Sequence, residues 1–183
     1  MQDEEMKEVR LSSQTMFEGK ILTVKKDIIG LPNGKESFRE YAEHGGAVAA
    51  VPLTDEGEVI LVKQYRYAVG RVVLEIPAGK LDSADEPPHA AALRELKEET
   101  GAKCERLTPL GVIIPSPAIL TERIHLFLAE GLSFEESSPD EDEFLEVIRV
   151  PLSSLVERVM RGKVEDAKTA LAAMKVWQLR GKE

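Results

Sequence analysis

The most constraining feature of the sequence is a change of pattern around Gly79. Residues 72–79, VVLEIPAG, form an apolar run that is typical of a buried strand and ends in turn-forming residues. Residues 85–101, DEPPHAAALRELKEETG, then follow a helical period, with prolines suited to a first turn and Gly101 suited to a helix end. This order of strand, glycine loop and helix predicts an α/β unit.

Three glutamates share one stripe of the predicted helix: Glu95, Glu98 and Glu99. Like charges so placed destabilise an isolated helix by roughly a few tenths of a kcal/mol per pair, so a bound hard cation would explain them. Leu93 and Leu96 lie on the adjoining stripe, which predicts that the helix packs on a sheet and directs the carboxylates into a crevice. Taken alone, an acidic stripe is more often a solvated, salt-bridged face, so the flanking residues decide.

The length of 183 residues fits one principal domain with room for a small accessory element. The chain carries 24 lysines and arginines against 33 aspartates and glutamates, which gives a net charge of -9. Such a charge repels a polynucleotide backbone, so nucleic-acid binding is not expected. A phosphate-bearing substrate would instead need a bound cation or a few well-placed arginines.

Cys104 is the single cysteine, which excludes an internal disulfide and suits a reducing compartment. The N-terminal residues MQDEEMKEVR are polar and acidic, unlike a signal peptide. No apolar run approaches the ~18–20 residues that span a bilayer. We therefore expect a cytoplasmic protein with no membrane association.

The remaining sequence predicts mostly strands. Residues 16–41 are expected to form short strands around the turn Pro32-Asn33-Gly34, and residues 47–67 to form a hairpin around Asp55-Glu56-Gly57. Three further strands are expected over residues 106–117, 123–132 and 144–152. Residues 164–180 are expected to form a closing helix. Its apolar face is predicted to contain Ala170, Leu171, Met174 and Trp177.

The stretch from Gly79 to Ala102 resembles the Nudix box. In that motif five residues separate a glycine from a glutamate, and seven more lead to the run Arg-Glu-apolar-x-Glu-Glu-x-Gly-apolar. Here Glu86 is followed by seven residues and then by residues 94–102, RELKEETGA, which match the run throughout. Upstream, six residues instead of five separate Gly79 from Glu86, which we interpret as a one-residue insertion in the loop.

The resemblance extends from about Phe17 to the C-terminal helix and is strongest to the bacterial ADP-ribose pyrophosphatase branch. The segments AVAAVPL, VILVKQYRYAVG, LEIPAGKLD and ERIHLFLAEGL look like that branch. That branch typically has a proline some fifteen residues after the Nudix box, and Pro117 stands 15 residues after Ala102. Ala118 replaces the glycine that usually follows this proline.

The resemblance implies an α/β fold, namely the Nudix α/β/α sandwich on a mixed sheet over residues 46–183. A small β-rich element over residues 1–45 precedes it. That element is too short to bury its own apolar residues, so a homodimer is expected. The resemblance implies that its strands cross over and complete the partner's site.

The resemblance also implies a divalent-metal site, with Mg²⁺ as the expected cofactor and Mn²⁺ as the alternative. The implied ligands are the side chains of Glu95, Glu98, Glu99 and Glu143 and the backbone carbonyl of Ala78. Four motif residues are implied to be structural: Gly79, Glu86, Arg94 and Gly101. Of these, Arg94 is expected to orient the carboxylates through an internal salt bridge.

The general base is implied to be a carboxylate on the late acidic loop, PDEDEF. Glu141 is the first choice, Glu143 is its neighbour with a metal-associated role, and Glu98 is the candidate if neither serves. For the substrate, Arg66 in QYRY matches a phosphate-contacting arginine, and Arg39 and Pro117 are further candidates. The alternative role for either arginine is a surface salt bridge, and the sequence favours the substrate contact more clearly for Arg66 than for Arg39. Three aromatic residues are candidates for stacking on adenine or for plain packing: Phe17, Phe38 and Tyr41.

The function implied by the resemblance is hydrolysis of ADP-ribose to AMP and ribose 5-phosphate. The alternatives are the same chemistry on another nucleoside diphosphate sugar or dinucleotide, and a non-catalytic Nudix-fold ligand sensor. Clustered glutamates argue against the sensor.

The residues Gly79-Lys80 could suggest a phosphate-binding P-loop, but the surrounding sequence excludes that motif. Leu74 and Leu81 occupy the positions of its first glycine and its Ser or Thr.

Overall fold

The computed structural model describes residues 3–83, 85–139 and 143–181. The chain divides into two compact units. The first contains Met1–Gly45 together with Ile114–Glu122, and the second contains Gly46–Ile113 and Arg123–Glu183. The segment Ile114–Glu122 thus joins the N-terminal unit although it is distant in sequence.

The first unit is an antiparallel sheet of three strands in the order β1-β2-β3: Val9–Glu18, Thr23–Gly30 and Glu36–Glu43. β1 is an edge strand, and all ten of its residues are exposed. It begins well before Met16, where the predicted strand began, because residues 9–15 are all exposed and carry no burial pattern that the sequence could reveal. The predicted turn is present, and Gly34 adopts φ 80° there.

The second unit contains seven strands and three helices among its described residues. The strands are β4 (Ala47–Pro52), β5 (Glu58–Arg66), β6 (Arg71–Glu75), β7 (Ala78–Lys80), β8 (Ala102–Ile113), β9 (Ile124–Phe134) and β10 (Leu145–Pro151). The helices are α1 (Pro88–Thr100), α2 (Leu152–Met160) and α3 (Ala167–Arg180). One sheet is mixed, in the order β7-β4-β9-β8 with β4 and β9 parallel, and the other is antiparallel, in the order β10-β5-β6.

The central strand β4 is buried on both faces. Its residues Val48 and Ala50 pack with Ala91 and Ala92 of α1. The alternate residues Ala47, Ala49 and Val51 pack in the main core, which also contains Ala172, Ala173 and Val176 of α3. Since successive side chains of a strand point to opposite faces, the mixed sheet lies between α1 and α3. The predicted α/β fold is confirmed.

The predicted hairpin over residues 47–67 is wrong. A turn does form there, with Gly57 at φ 80° and a single bridge between Leu53 and Val59. Beyond it the two strands separate: β4 pairs with β7 and β9, whereas β5 pairs with β10 and β6. Both runs are apolar at consecutive positions, so each is an inner strand with a neighbour on either side, and the turn passes from one sheet to the other.

The predicted strand over residues 72–79 is divided in two. β6 ends at Glu75 in the antiparallel sheet, and β7 begins at Ala78 in the mixed sheet. Between them Pro77 has no backbone N–H to donate to a ladder, and its carbonyl accepts a hydrogen bond from Ala50 N at 3.0 Å. The division places Ala78 at the edge of the mixed sheet, next to β4.

The closing helix is present as α3, but its buried face differs from the predicted one. Leu171 and Trp177 are 41% and 44% exposed. The buried residues are Thr169, Ala172, Ala173 and Val176. Small side chains let the helix approach the sheet closely, which a count of large apolar residues does not reveal. Helix α2 was not predicted. No helix in the described part of the chain has the length and apolar character to cross a membrane.

Candidate active site

Helix α1 carries the three predicted glutamates and is fixed on the mixed sheet. Ala91, Ala92 and Leu96 are buried, whereas Leu93, predicted to pack, is 37% exposed. The helix ends at Gly101, which adopts φ 69° and donates its N–H to the Lys97 carbonyl at 2.8 Å. A Cβ at Gly101 would overlap the carbonyl oxygen of Glu135, so both conformation and space require glycine there.

Glu99 is the most buried of the three glutamates, with 3% of its surface exposed. Its Oε2 accepts a hydrogen bond from the Ala78 N–H at 3.2 Å. Burial, with the negative charges of Glu143 and Glu95, raises the pKa of Glu99 to about 8. The hydrogen bond from Ala78 lowers this pKa, but by less. The positive charge of Arg66 opposes this rise without outweighing it, so the charge of the buried carboxylate is only partly compensated.

Glu95 lies beside Glu99 against the same loop. Its pKa is raised by burial first, and then by the charges of Glu98 and Glu143, while hydrogen bonding to Arg94 opposes the rise. A Cβ added to Gly79 would overlap the Glu95 carboxylate. The absence of a side chain at Gly79 thus leaves the space that this carboxylate occupies.

Arg94 joins the helix to the preceding loop. Its Nη1 donates to Glu95 Oε1 at 2.7 Å and to Glu98 Oε2 at 3.0 Å. On the loop side its Nε donates to Glu86 Oε1 at 3.2 Å and its Nη2 to the Lys80 carbonyl at 3.2 Å. The Arg94 guanidinium thus lies among four carboxylates, those of Asp82, Glu86, Glu95 and Glu98. It holds Glu86 to the helix, although the loop before Glu86 is one residue longer than the motif.

Glu86 itself caps the loop that follows β7. Its Oε2 accepts the Asp82 N–H at 2.7 Å. Hydrogen bonds from Arg94 and from Asp82 lower the pKa of Glu86. This carboxylate is therefore balanced by protein groups, unlike Glu99.

The late acidic loop reaches the same cluster through Glu143. Its charge acts on both Glu95 and Glu99, which shows that it lies near them. Glu141, the first choice for the base, lies outside the described residues.

The donor set of this cluster fits a divalent cation. Every group is a carboxylate or carbonyl oxygen, the ligand type of hard cations. The raised pKa values of Glu95 and Glu99 come partly from like charges, which a cation would offset. Within the described residues no three acidic, histidine or cysteine side chains already converge on one point. Arg94 and the Ala78 N–H instead hold the carboxylates as partners.

Arg66, the predicted phosphate contact, is held by Glu75. Its Nε donates to Glu75 Oε1 at 2.7 Å and its Nη2 to Oε2 at 2.9 Å. The pKa of Arg66 is raised, mainly by its hydrogen bonds to Glu75. The negative charge of Glu99 also raises it, whereas burial lowers it. Arg66 is therefore near the glutamate cluster, and 40% of its side chain is exposed.

Comparison with known proteins identifies the family. Residues 43–174 match the NUDIX domain, and residues 8–42 match the nucleoside diphosphate sugar hydrolase N-terminal domain. The chain belongs to the Nudix family. Helix α1, with its three glutamates and Arg94, lies within the residues that match the NUDIX domain.

Relatives extend over most of this Nudix protein. An ADP-ribose pyrophosphatase of Bacillus subtilis (strain 168) is 44% identical over 169 residues, covering 91% of each chain. A methanol dehydrogenase activator of Bacillus methanolicus is 38% identical over 90% of each chain. An ADP-ribose pyrophosphatase of Mycobacterium tuberculosis (strain ATCC 25618 / H37Rv) is 37% identical over 84% of this chain and 75% of its own. The crystal structure of an ADP compounds hydrolase matches with a TM-score of 0.84 and 27% identity, covering 97% of this chain and 96% of the other.

Two of the predicted substrate residues, Arg39 and Pro117, belong to the first unit and not to the second, which contains α1. Arg39 donates from Nε to Glu8 Oε2 at 3.0 Å and from Nη1 to the Phe38 carbonyl at 2.9 Å. Pro117 lies in the segment Ile114–Glu122. The domain boundaries expected from the sequence place this segment within residues 46–183, whereas in the structure it packs with the first unit.

The three aromatic candidates also lie in the first unit. Phe17 and Phe38 are 59% and 52% exposed. The ammonium of Lys26 lies 4.9 Å from the centre of the Phe38 ring. Tyr41 donates its hydroxyl to Asp27 Oδ2 at 3.0 Å, so this side chain has a structural partner in its own sheet.

Four polar residues near Arg66 were not predicted to belong to the site: Glu75, Asp166, Lys168 and Thr169. Glu75 is 2% exposed. One signal was available in the sequence, because Glu75 is the single charged residue in the apolar run 72–79. A buried charge of this kind requires a partner, but the partners on α3 are distant in sequence.

Proposed function

We propose that this Nudix hydrolase cleaves the diphosphate bond of ADP-ribose, giving AMP and ribose 5-phosphate. The observation that carries the proposal is the group of carboxylates Glu95, Glu99 and Glu143 around Gly79, Ala78 and α1, in which Glu99 is buried, Glu95 is half-buried and the charge of Glu143 raises the pKa of both. Two relatives named ADP-ribose pyrophosphatase support the choice of substrate.

Nudix hydrolases of this kind depend on a divalent cation. We propose Mg²⁺, with Mn²⁺ as the alternative. The proposed ligands are the carboxylates of Glu95, Glu98, Glu99 and Glu143 and the carbonyl of Ala78. When bound, such a cation neutralises diphosphate charge and favours ionisation of the attacking water.

The protein's own groups would then move the proton and hold the substrate. We propose that Glu141 accepts the proton from water, that Glu143 assists at the metal, and that Glu98 is the base if neither glutamate serves. Arg66 would donate to the diphosphate oxygens, since a guanidinium matches their geometry. Arg39 and Pro117 are proposed as further substrate contacts.

Four residues are proposed to keep the site in shape. Arg94 and Glu86 link helix and loop through their hydrogen bonds. Gly79 leaves room for Glu95, and Gly101 ends the helix in a left-handed conformation. None of these four needs to contact the substrate for its role.

The test is chromatography of AMP release from ADP-ribose, with Mg²⁺, with Mn²⁺ and with excess chelator. We expect AMP and ribose 5-phosphate with either cation and none with chelator. Running the reaction in ¹⁸O-water assigns the attacked phosphorus from the labelled product. Binding of ADP-ribose without any release of AMP would support the ligand sensor and contradict the hydrolase.

The base is tested with Glu141→Gln and Glu143→Gln. If Glu141 is the base, its variant should lose roughly 10²–10⁴-fold in turnover with little change in KM or metal affinity. Glu143→Gln should instead weaken apparent Mg²⁺ affinity and recover partly with excess metal. A loss below about tenfold in both variants would direct the search to Glu98.

A second candidate is hydrolysis of another nucleoside diphosphate sugar. It is favoured by the match of residues 8–42 to the nucleoside diphosphate sugar hydrolase N-terminal domain. A panel of such sugars and of dinucleotides, compared by kcat/KM, decides between the substrates. ADP-ribose should have the highest value, and a higher value for another compound would replace it.

We further propose that residues 1–45 form a dimerisation and substrate element, that residues 46–183 form the hydrolase domain, and that the protein is a cytoplasmic homodimer. The exposed edge strand β1 supports the dimer: Val9, Leu11, Met16 and Phe17 are each more than half exposed. Light scattering should give twice the mass of one chain. A stable monomer with full activity would contradict it.

A further inference from the structure

Glu75 is a buried carboxylate that two cations from different elements contact. Arg66, at the end of β5, forms two hydrogen bonds to it at 2.7 and 2.9 Å. Lys168, in the first turn of α3, donates its ammonium to Glu75 Oε2. Only 3% of the Glu75 side chain and 11% of the Lys168 side chain are exposed. The carboxylate is therefore fixed from two sides.

The same part of α3 is bound to the backbone next to Glu75. Asp166 caps the helix by accepting the Thr169 N–H at 2.9 Å, and it accepts the Lys168 ammonium at 3.0 Å. Thr169 Oγ1 in turn accepts the Ile76 N–H at 2.8 Å. Helix α3 thus holds both the side chain of residue 75 and the backbone of residue 76.

This arrangement fixes the direction of the Arg66 guanidinium. Its Nε and Nη2 face Glu75, and its Nη1 donates to none of the described residues. The guanidinium contacts Glu75 directly and is close enough to the glutamate cluster for the charge of Glu99 to act on it. A long arginine side chain has many rotamers, and a two-pronged contact on one edge restricts it to few.

We propose that Glu75 is a positioning residue, which holds Arg66 so that the free edge of its guanidinium donates to the diphosphate of the substrate. Lys168 and Asp166 complete the charge balance, so Glu75 remains an ionised acceptor while Arg66 binds a second anion. The inference rests on the proposed function, since it needs a diphosphate substrate.

A positioning role and a purely structural role differ in what they change. If Glu75 acts through Arg66, its loss should weaken substrate binding and leave the glutamate cluster's metal affinity unchanged. The loss should also have no further effect once Arg66 is absent, because residues that act as one unit are not additive.

The experiment is a double-mutant cycle with Glu75→Gln, Arg66→Ala and both together. Two quantities are measured: KM and kcat for ADP-ribose, and the calorimetric Kd for its α,β-methylene analogue, which cannot be hydrolysed. We expect Glu75→Gln to raise KM and Kd by roughly tenfold to a hundredfold, the range of one charge-assisted contact, with kcat changed less than about threefold. In the Arg66→Ala background it should change neither KM nor Kd.

Two further variants separate positioning from folding. Glu75→Asp keeps the charge for Lys168 but withdraws the carboxylate from Arg66, so it should fold and still raise KM and Kd. Glu130→Gln is the matched control, because Glu130 also contacts two cations, Arg106 and Arg180, and only 13% of its side chain is exposed. It should leave KM and Kd unchanged.

Two results would overturn the proposal: unchanged KM and Kd in both Glu75 variants, or additive changes in the double variant. An Arg66→Ala protein with normal KM and Kd would overturn it as well, while leaving hydrolysis by the wild type standing. Binding of the analogue without any turnover of ADP-ribose by the wild type would contradict the proposed function alone, because the Kd cycle still tests Glu75.

Discussion

Two buried glutamates of the second unit, Glu75 and Glu99, have the same side chain and nearly the same exposure, 2% and 3%. Their pKa values nevertheless move in opposite directions. Burial alone would raise the pKa of Glu75, but Arg66 and Lys168 outweigh it and lower that pKa to about 2. Burial and two neighbouring carboxylates raise the pKa of Glu99 to about 8.

The two pKa values differ because the neighbouring charges differ, and not because one side chain is more deeply buried than the other. Each carboxylate lost its water, which disfavours the charged form. Two protein cations, Arg66 and Lys168, balance the charge of Glu75, so its carboxylate is ionised and held in place. Glu99 accepts a hydrogen bond from the Ala78 N–H and interacts with the charge of Arg66, but burial and the charges of Glu143 and Glu95 outweigh both. A buried carboxylate in such surroundings is suited to a ligand that brings positive charge.

The largest effect in this comparison is expected at Glu99. Glu99→Gln should reduce metal-dependent turnover by at least roughly 10²–10³-fold, because an amide is a poorer ligand of a hard cation and a charge-stabilising group is lost. The fold should persist, since the amide matches the carboxylate in shape and removes a like charge. Turnover with circular dichroism as the folding check tests this. Activity close to that of the wild type would refute the metal assignment of Glu99.

The second effect concerns stability at Glu75. Glu75→Gln should lower the free energy of unfolding by about 2–4 kcal/mol at neutral pH, because Lys168 and Arg66 lose their buried counter-charge. Urea denaturation of the metal-free protein measures it. A loss below about 0.5 kcal/mol would mean that the contacts around Glu75 contribute no more than a surface ion pair.

The third effect is the acid dependence of that stabilisation. The folded pKa of Glu75, about 2, lies below its ordinary value of 4.5, so the unfolded chain takes up the proton first as the pH falls. The contribution is complete above pH 4.5 and is lost between 4.5 and about 2. The charged groups in contact with Glu75 are Arg66 of β5 and Lys168 of α3, and Lys168 in turn contacts Asp166, the N-cap residue of α3. Unfolding free energies of wild type and Glu75→Gln should therefore converge across this window, and a constant difference would contradict the assignment.

The smallest effect is expected at Glu130. Glu130→Gln removes contacts to Arg106 and Arg180, whose side chains are 69% and 44% exposed. Solvent screens such pairs, so the free energy of unfolding should fall by less than about 1 kcal/mol. Urea denaturation beside Glu75→Gln gives the comparison. Equal losses in the two variants would show that the number of contacts, and not burial, sets the contribution.

The sequence by itself determined the central helix and its chemistry. The spacing of Glu95, Glu98 and Glu99 places them on one stripe wherever the helix lies, because helical period is a local property. Gly101 likewise ends the helix through its own backbone conformation. The order of strand, loop and helix was local as well, and it was enough to predict the α/β fold.

Only the tertiary structure decided which strands become neighbours and which charges become partners. β4 and β5 follow one another in sequence yet join different sheets, because each needs two strand neighbours and a packed face. The face of α3 was set by how closely the small residues Ala172 and Ala173 approach the core. Glu75 meets Lys168 across 93 positions of sequence. Such contacts depend on the whole packed arrangement, and a local pattern in one sequence does not encode them.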